Sequence, residues 1–222
     1  VACKKAGKGV LAEWTSSDMK TWQHQGVFMS CMWDRFYECP DVFKMGDWWY
    51  LVYSELHDAI RRVQYFKGRT LDELKACTKD DAGRWPDAHE GYLDSRGLYA
   101  GKTASDGTNR YIWGWCATRS GKDNTKALEW AGNLVAHKLI QHEDGSLTLG
   151  EVPGIAAKFN NATTPAIAAK SDGNVEGDAS NLKLTADGWA VFPRLGYQNR
   201  IEFTVKTSGN RDKFGISLVR GT

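Results

Sequence analysis

Hydrophobic and polar positions along the chain alternate with a period of two in run after run. Trp49, Leu51 and Tyr53 fall on one side of such a run, Tyr50, Val52 and Ser54 on the other, and Gly46-Asp47 stands before it. That order reads as a strand started from a tight turn, because successive strand side chains point to opposite faces. The same reading places strands over Val10 to Trp14, Arg110 to Ala117 and Leu134 to Gln141, separated by Gly, Asp and Asn clusters at the intervals of an all-β protein. Helix is scarce. The best candidate is one or two turns over Thr70 to Ala76, where Thr70 and Glu73 have capping-box spacing.

Past Pro153 the pattern breaks. Gly154 to Asp178 is rich in Ala, Asn, Gly, Ser and Thr, holds no period, and reads as a domain junction. Alternation then returns: Ile201, Phe203 and Val205 oppose Arg200, Glu202, Thr204 and Lys206, and Phe214, Ile216 and Leu218 repeat the pattern after Ser208-Gly209-Asn210. Two antiparallel strands with one wet face suit a sandwich. The expected organisation is one β domain over residues 1–153, then a linker and the first strands of a β-sandwich over 154–222.

Composition narrows the function classes. With 222 residues, 41% of them hydrophobic, the chain can build a real core, which argues against disorder. Basic and acidic side chains number 29 and 27, too balanced to neutralise a phosphate backbone, so nucleic acid is a poor partner. Ten Trp, eight Tyr and eight Phe exceed what packing alone needs, although any single one is more readily structural than sugar-stacking. Cys3, Cys31, Cys39, Cys77 and Cys116 show no metal-ligand spacing, so no metal is expected. No apolar run reaches the ~20 residues of a membrane helix. Val1 is not a start methionine, no leader-like segment follows it, and the chain stops at Arg220-Gly221-Thr222 beside a strand pattern; it reads as cut at both ends.

One acid sits in an unusual setting. Phe36-Tyr37-Glu38-Cys39-Pro40-Asp41-Val42-Phe43 surrounds Glu38 with aromatic groups, where desolvation disfavours charge and prepares a carboxylic acid to donate a proton. On these grounds a solvent-facing Glu at a strand edge is an equal reading. Asp94 can cap a turn or bind a ligand. Trp113 and Trp115 share a strand, and one of them is expected to face core. Trp33, Asp34 and Arg35 precede the acid and are candidates to line a pocket. His57, His89 and His137 have no nucleophile at a convincing spacing, and Ser54 lacks nucleophile-elbow glycines, so a serine hydrolase has little behind it.

The octet around Glu38 resembles the Glu-Cys-Pro-Asp motif of glycoside hydrolase family 32, the invertases, inulinases and levanases. Three further stretches agree in order. Ser17-Asp18-Met19-Lys20-Thr21-Trp22 resembles the family's propeller turn, in which Asp18 would bond turn amides and Trp22 would pack beneath. Leu93-Asp94-Ser95-Arg96-Gly97-Leu98-Tyr99-Ala100 is similar to its Asp-x-Gly-x-Asp-Phe-Tyr-Ala segment, and Arg110-Tyr111-Ile112-Trp113-Gly114-Trp115 to its Arg-strand-Gly-Trp ending. Arg96-Gly97-Leu98 departs from the usual Gly-x-Asp-Phe, and Ala136-His137-Lys138-Leu139 stands where many members have Pro-Arg-Glu-Leu; both bear on substrate rather than fold.

The resemblance covers roughly residues 10–153. It implies an all-β fold, part of a five-bladed β-propeller over 1–153 followed by the start of a β-sandwich. It implies Glu38 as general acid/base, with Cys39, Asp94 and Trp115 contacting sugar and Arg35 and Trp33 near the pocket. The implied activity is β-fructosidase-like hydrolysis of an oligo- or polysaccharide by a retaining double displacement without cofactor. The nucleophilic Asp of the family lies too far before its acid to fall within this chain, which by itself is expected to be inert and prone to aggregate. Two alternatives stand beside this reading: an arabinan- or xylan-cleaving enzyme like those of family 43, and a carbohydrate-binding propeller without catalysis. Enzymes that meet polymeric glycans imply an extracellular, periplasmic or cell-surface location.

Overall fold

Five consecutive residues, Tyr50 to Ser54, are 0% exposed, so the strand that carries them is covered on both faces. The structure is a computed structural model and describes residues 2–5, 8–30, 37–57, 60–76, 90–94, 97–123, 125–185, 187–196, 198–207, 209 and 215–217. It divides into two units, Val1–Val152 and Pro153–Thr222.

Among the described residues, three antiparallel sheets make up the first unit. Strands β1 (Ala2–Lys5), β2 (Lys8–Thr15) and β3 (Gln23–Ser30) form the first, in chain order. The second holds β4 (Glu38–Met45), β5 (Trp48–His57), β6 (Ile60–Gly68) and β7 (Glu90–Tyr92). The third holds β8 (Leu98–Ser105), β9 (Arg110–Arg119), β10 (Leu128–Gln141) and β11 (Leu147–Gly150). Each strand pairs with its sequence neighbour, mostly across short turns but from β6 to β7 across a long connection that carries a helix, and this makes each sheet a meander.

The alternation along β5 sorts its side chains between two cores. Leu51 and Tyr53 join Leu11 of β2, Phe28 and Met29 of β3, Tyr37 and Phe66. Tyr50 and Val52 join Leu98 of β8, Ile112 of β9, Leu139 of β10 and Leu147 of β11. Burying each such side chain is worth about 1.5–3 kcal/mol, and only a sheet with neighbours on both faces collects this twice. Face-to-face meanders of this kind are the blades of a β-propeller, and the fold is all-β.

Hydrogen bonds sew the second and third sheets together. The Tyr50 hydroxyl donates to the Gly145 carbonyl at 2.8 Å, and the Tyr65 hydroxyl accepts the Leu147 N–H at 2.9 Å. Burial pushes the Tyr50 phenol up to about 12 and raises that of Tyr65, so both remain protonated in neutral solution.

Helix α1 (Leu71–Ala76) forms where the capping-box spacing placed it. The Glu73 N–H donates to the Thr70 hydroxyl at 3.1 Å, the Glu73 carboxylate accepts the Arg69 N–H at 2.6 Å, and Leu74 is buried. No helix among the described residues is long and apolar enough to cross a membrane.

The second unit is built differently. One helical turn, α2 (Pro153–Ala156), precedes β12 (Ala169–Lys170), β13 (Val175–Asp178), β14 (Asn181–Leu184) and β15 (Ala190–Val191). β12 pairs with β15 and β13 with β14, so part of the stretch read as periodless is strand. The strand expected at Ile201 to Lys206 is absent: residues 201–207 join no ladder, and Ile201, Phe203 and Val205 are exposed. Alternation supplies a face, but a strand exists only through the partner that accepts its hydrogen bonds. Of the companion run, Phe214 and Leu218 lie outside the described residues, and Ile216 is in no strand.

Candidate active site

The first strands of the second and third sheets carry the same irregularity. On β4, Glu38 opposes Ser54 and Asp41 opposes Val52, so three steps face two and the extra residue makes a bulge. On β8, Tyr99 opposes Trp115 and Lys102 opposes Trp113, again three against two. The residue after the aimed side chain is left-handed in both: Cys39 has φ +50° and Ala100 φ +54°. A side chain there is disfavoured by roughly 1–2 kcal/mol, which the surrounding pairing must offset. Pro40 suits its bulge because it has no N–H to leave unpaired.

The two bulged strands are tied to each other. Lys102 donates to the Pro40 carbonyl at 2.7 Å, and its ammonium lies 3.8 Å from the Asp41 carboxylate. The other Asp41 oxygen accepts the Thr103 N–H at 2.7 Å, and the Ser54 hydroxyl accepts the Gly101 N–H at 3.3 Å.

Across this seam the Tyr99 hydroxyl donates to Oε2 of Glu38. The Tyr99 ring is 1% exposed and meets Trp115 and Trp130 edge to face, with centroids 5.3 and 5.6 Å away. Trp115 and Trp130 are 5.5 Å apart, and the Arg61 guanidinium carbon lies 5.2 and 5.0 Å from their centroids. Arg61 also donates to the Glu129 carbonyl at 2.6 Å. Burial first, and the Glu38 carboxylate second, raise the Tyr99 phenol far above its ordinary range, so it is held as a proton donor. Burial and the same carboxylate push the Cys39 thiol up, which keeps it neutral.

Asp94 lies four residues before β8. Its Oδ2 accepts the Leu98 N–H at 3.0 Å, four residues on, in the manner of a turn cap. Leu98 opposes Cys116, and burial together with Asp94 raises the Cys116 thiol. Asp94, Tyr99 and Trp115 therefore share one end of the third sheet, partnered through Tyr99 by Glu38. Trp33, Asp34 and Arg35 lie outside the described residues. Among the described residues, no group of three or more His, Cys, Asp or Glu could hold a metal ion.

Two details differ from expectation. Trp113 and Trp115 occupy alternate positions of one strand and so share a face; Ile112, just before them on the opposite face, enters the core, and Trp113 is 38% exposed. Trp22 keeps 47% of its surface exposed, and the Asp18 turn is held by hydrogen bonds from the Lys20 and Thr21 amides. Tyr99, Arg61 and Trp130 carry no local signal that joins them to Glu38: Tyr99 lies within the Leu93 to Ala100 stretch, but its partner is 61 residues away and no local pattern pairs them.

Comparison with known proteins gives a consistent picture. Residues 1–152 match the family described as "Glycosyl hydrolases family 32 N-terminal domain", and residues 145–222 match "GH32, BT1760-like, C-terminal domain". The fold is similar to that of the Bombyx mori GH32 beta-fructofuranosidase BmSUC1, with a TM-score of 0.54 and 17% identity, covering 76% of this chain and 38% of that one. It is similar also to fructan 1-exohydrolase IIa from Cichorium intybus in complex with 1-kestose, with a TM-score of 0.54 and 16% identity, covering 78% of this chain and 37% of that one. The chain thus spans less than two-fifths of the length of either enzyme. No curated protein matches it.

Proposed function

Because the chain belongs to glycoside hydrolase family 32, we propose that the full-length protein hydrolyses fructose-containing sugars with retention, and that Glu38 is its general acid/base. In this reading Glu38 protonates the oxygen of the departing sugar while a carboxylate supplied from outside these 222 residues attacks the anomeric carbon. Glu38, now ionised, then takes a proton from the water that releases fructose. Asp94 and Trp115 contact the sugar, Cys39 lines the pocket beside the acid, and Trp33 and Arg35 extend it. Residues 154–222 open a β-sandwich domain, and the enzyme works outside the cytoplasm, where polymeric fructans are met.

The observation that carries this reading is the placement of Glu38. Its carboxyl group sits at the seam between two sheets, on a bulge that aims it at a buried hydroxyl in an aromatic cluster that includes Trp115. A strand-edge Glu facing bulk water needs no such surroundings. Replacing Glu38 by Gln in the full-length enzyme is expected to lower kcat on sucrose, inulin or levan by about 10²–10⁴-fold, the usual contribution of general acid–base catalysis, while leaving the melting temperature close to wild type. Azide, which attacks the fructosyl intermediate without a base, is expected to speed turnover of the variant on a substrate with an activated leaving group. Wild-type release of fructose by the folded variant would remove Glu38 from the mechanism; sugar binding without turnover by the wild-type protein would leave a binding propeller instead.

A further inference from the structure

A carboxyl group that gives up a proton in one half-reaction and takes one in the next must be held still in both states. We infer that Tyr99 is a positioning residue for this chemistry: its hydroxyl fixes one oxygen of Glu38 and leaves the other to exchange protons with sugar and water. The inference rests on the reading of Glu38 as acid/base and adds the group that controls it.

Both partners are built on rigid elements rather than loops. Tyr99 is held in place because its ring is buried and meets Trp115 and the outer, exposed Trp130 edge to face. Arg61 pins both indoles while it binds the Glu129 carbonyl. The matched bulges aim Tyr99 and Glu38 at each other, and the contacts of Lys102 and Thr103 with Pro40 and Asp41 keep the two strands from sliding apart.

Among the described residues, the charged and titratable groups around the pair are Cys39 and Asp41 on β4, Arg61 on β6 and Lys102 on β8. Lys102 is committed to Pro40 and Asp41, Arg61 to Glu129 and the indoles, and Cys39 is a weak donor. Among the described residues Tyr99 is thus the strong donor placed on Glu38. With Oε2 engaged, Oε1 delivers the proton to the leaving oxygen and later receives one from water, and the Tyr99 proton stays on Tyr99 throughout.

The effect on pH dependence has a definite sign. The first half-reaction needs Glu38 protonated, so kcat/KM falls as pH rises through an alkaline limb. A hydroxyl that donates to a carboxylate favours its ionised form, so removing such a donor favours the protonated form. In the full-length enzyme, Tyr99→Phe is expected to move the limb to higher pH and to lower kcat/KM at the optimum by about 10- to 100-fold, the range for a hydrogen bond to a charged group. Replacing Tyr99 by a ring-fluorinated tyrosine keeps the shape, makes the phenol a stronger donor, and is expected to move the limb the opposite way.

A purely structural Tyr99 would move the limb in neither variant, and an unmoved limb in folded protein overturns the inference. If Tyr99→Phe does not fold, the fluorinated residue decides alone. Inactivity of Glu38→Gln with unmoved limbs in the Tyr99 variants would sink this inference only; full activity of Glu38→Gln would sink the reading of Glu38 itself.

Discussion

Asp18 is a surface residue with the properties of a structural anchor. Its Oδ1 accepts the N–H groups of Lys20 and Thr21, each at 2.8 Å, and the Ser16 hydroxyl at 3.0 Å. Those amides favour the carboxylate and hold Asp18 down at about 2, below the 3.8 of a free side chain. The folded value is the lower one, so the turn's stabilising contribution is complete above about pH 4 and is lost as pH falls toward 2. Titration of Asp18 followed by NMR is expected to show a midpoint near 2, accompanied by faster exchange of the Lys20 and Thr21 amides; a midpoint at the free value would contradict the turn. Asp106 and Asp178 accept amides two and three residues on in the same way. Such turns are legible in sequence because donor and acceptor are neighbours. Gly114 is legible only after the fact. A Cβ there would lie 2.6 Å from the Tyr99 carbonyl oxygen and 2.7 Å from Leu98, so the glycine before Trp115 lets β9 approach the strand that holds Tyr99.

At the level of elements, local pattern and tertiary demand agree where an element has two reasons to form. Helix α1 has a cap written into residues 69–73 and a buried Leu74 to dock it against the sheets. Thr70→Ala removes the cap acceptor and is expected to destabilise the first unit by about 1 kcal/mol, read as a lower midpoint of chemical denaturation. An unchanged midpoint would show that docking of Leu74 alone sustains the helix. Strands β5 and β9 are legible because β5 must bury both faces, in two different cores, and β9 must bury Ile112. The bulges on β4 and β8 were not visible, since nothing near Cys39 or Ala100 announces a left-handed residue that is not glycine. Residues 201–207 show the converse failure, where a sound strand pattern has no ladder to join.

On the scale of the whole molecule, stability and site geometry share the seam between the second and third sheets. Tyr65→Phe removes the hydroxyl that accepts the buried Leu147 N–H. The variant is expected to lose about 1–3 kcal/mol in denaturant unfolding of the full-length protein, the penalty of one unsatisfied buried group. A loss near zero would mean that the N–H finds another acceptor. From the sequence alone came the all-β class, the capped helix, the Asp turns and the candidate acid in its motif, because each depends on residues within a few positions of one another. The tertiary structure alone decided what surrounds that acid. Tyr99 and Trp130 meet Glu38 and Arg61 only when separate sheets stack face to face, and the sequence separation between such partners is set by how the blades pack rather than by any local preference of the chain.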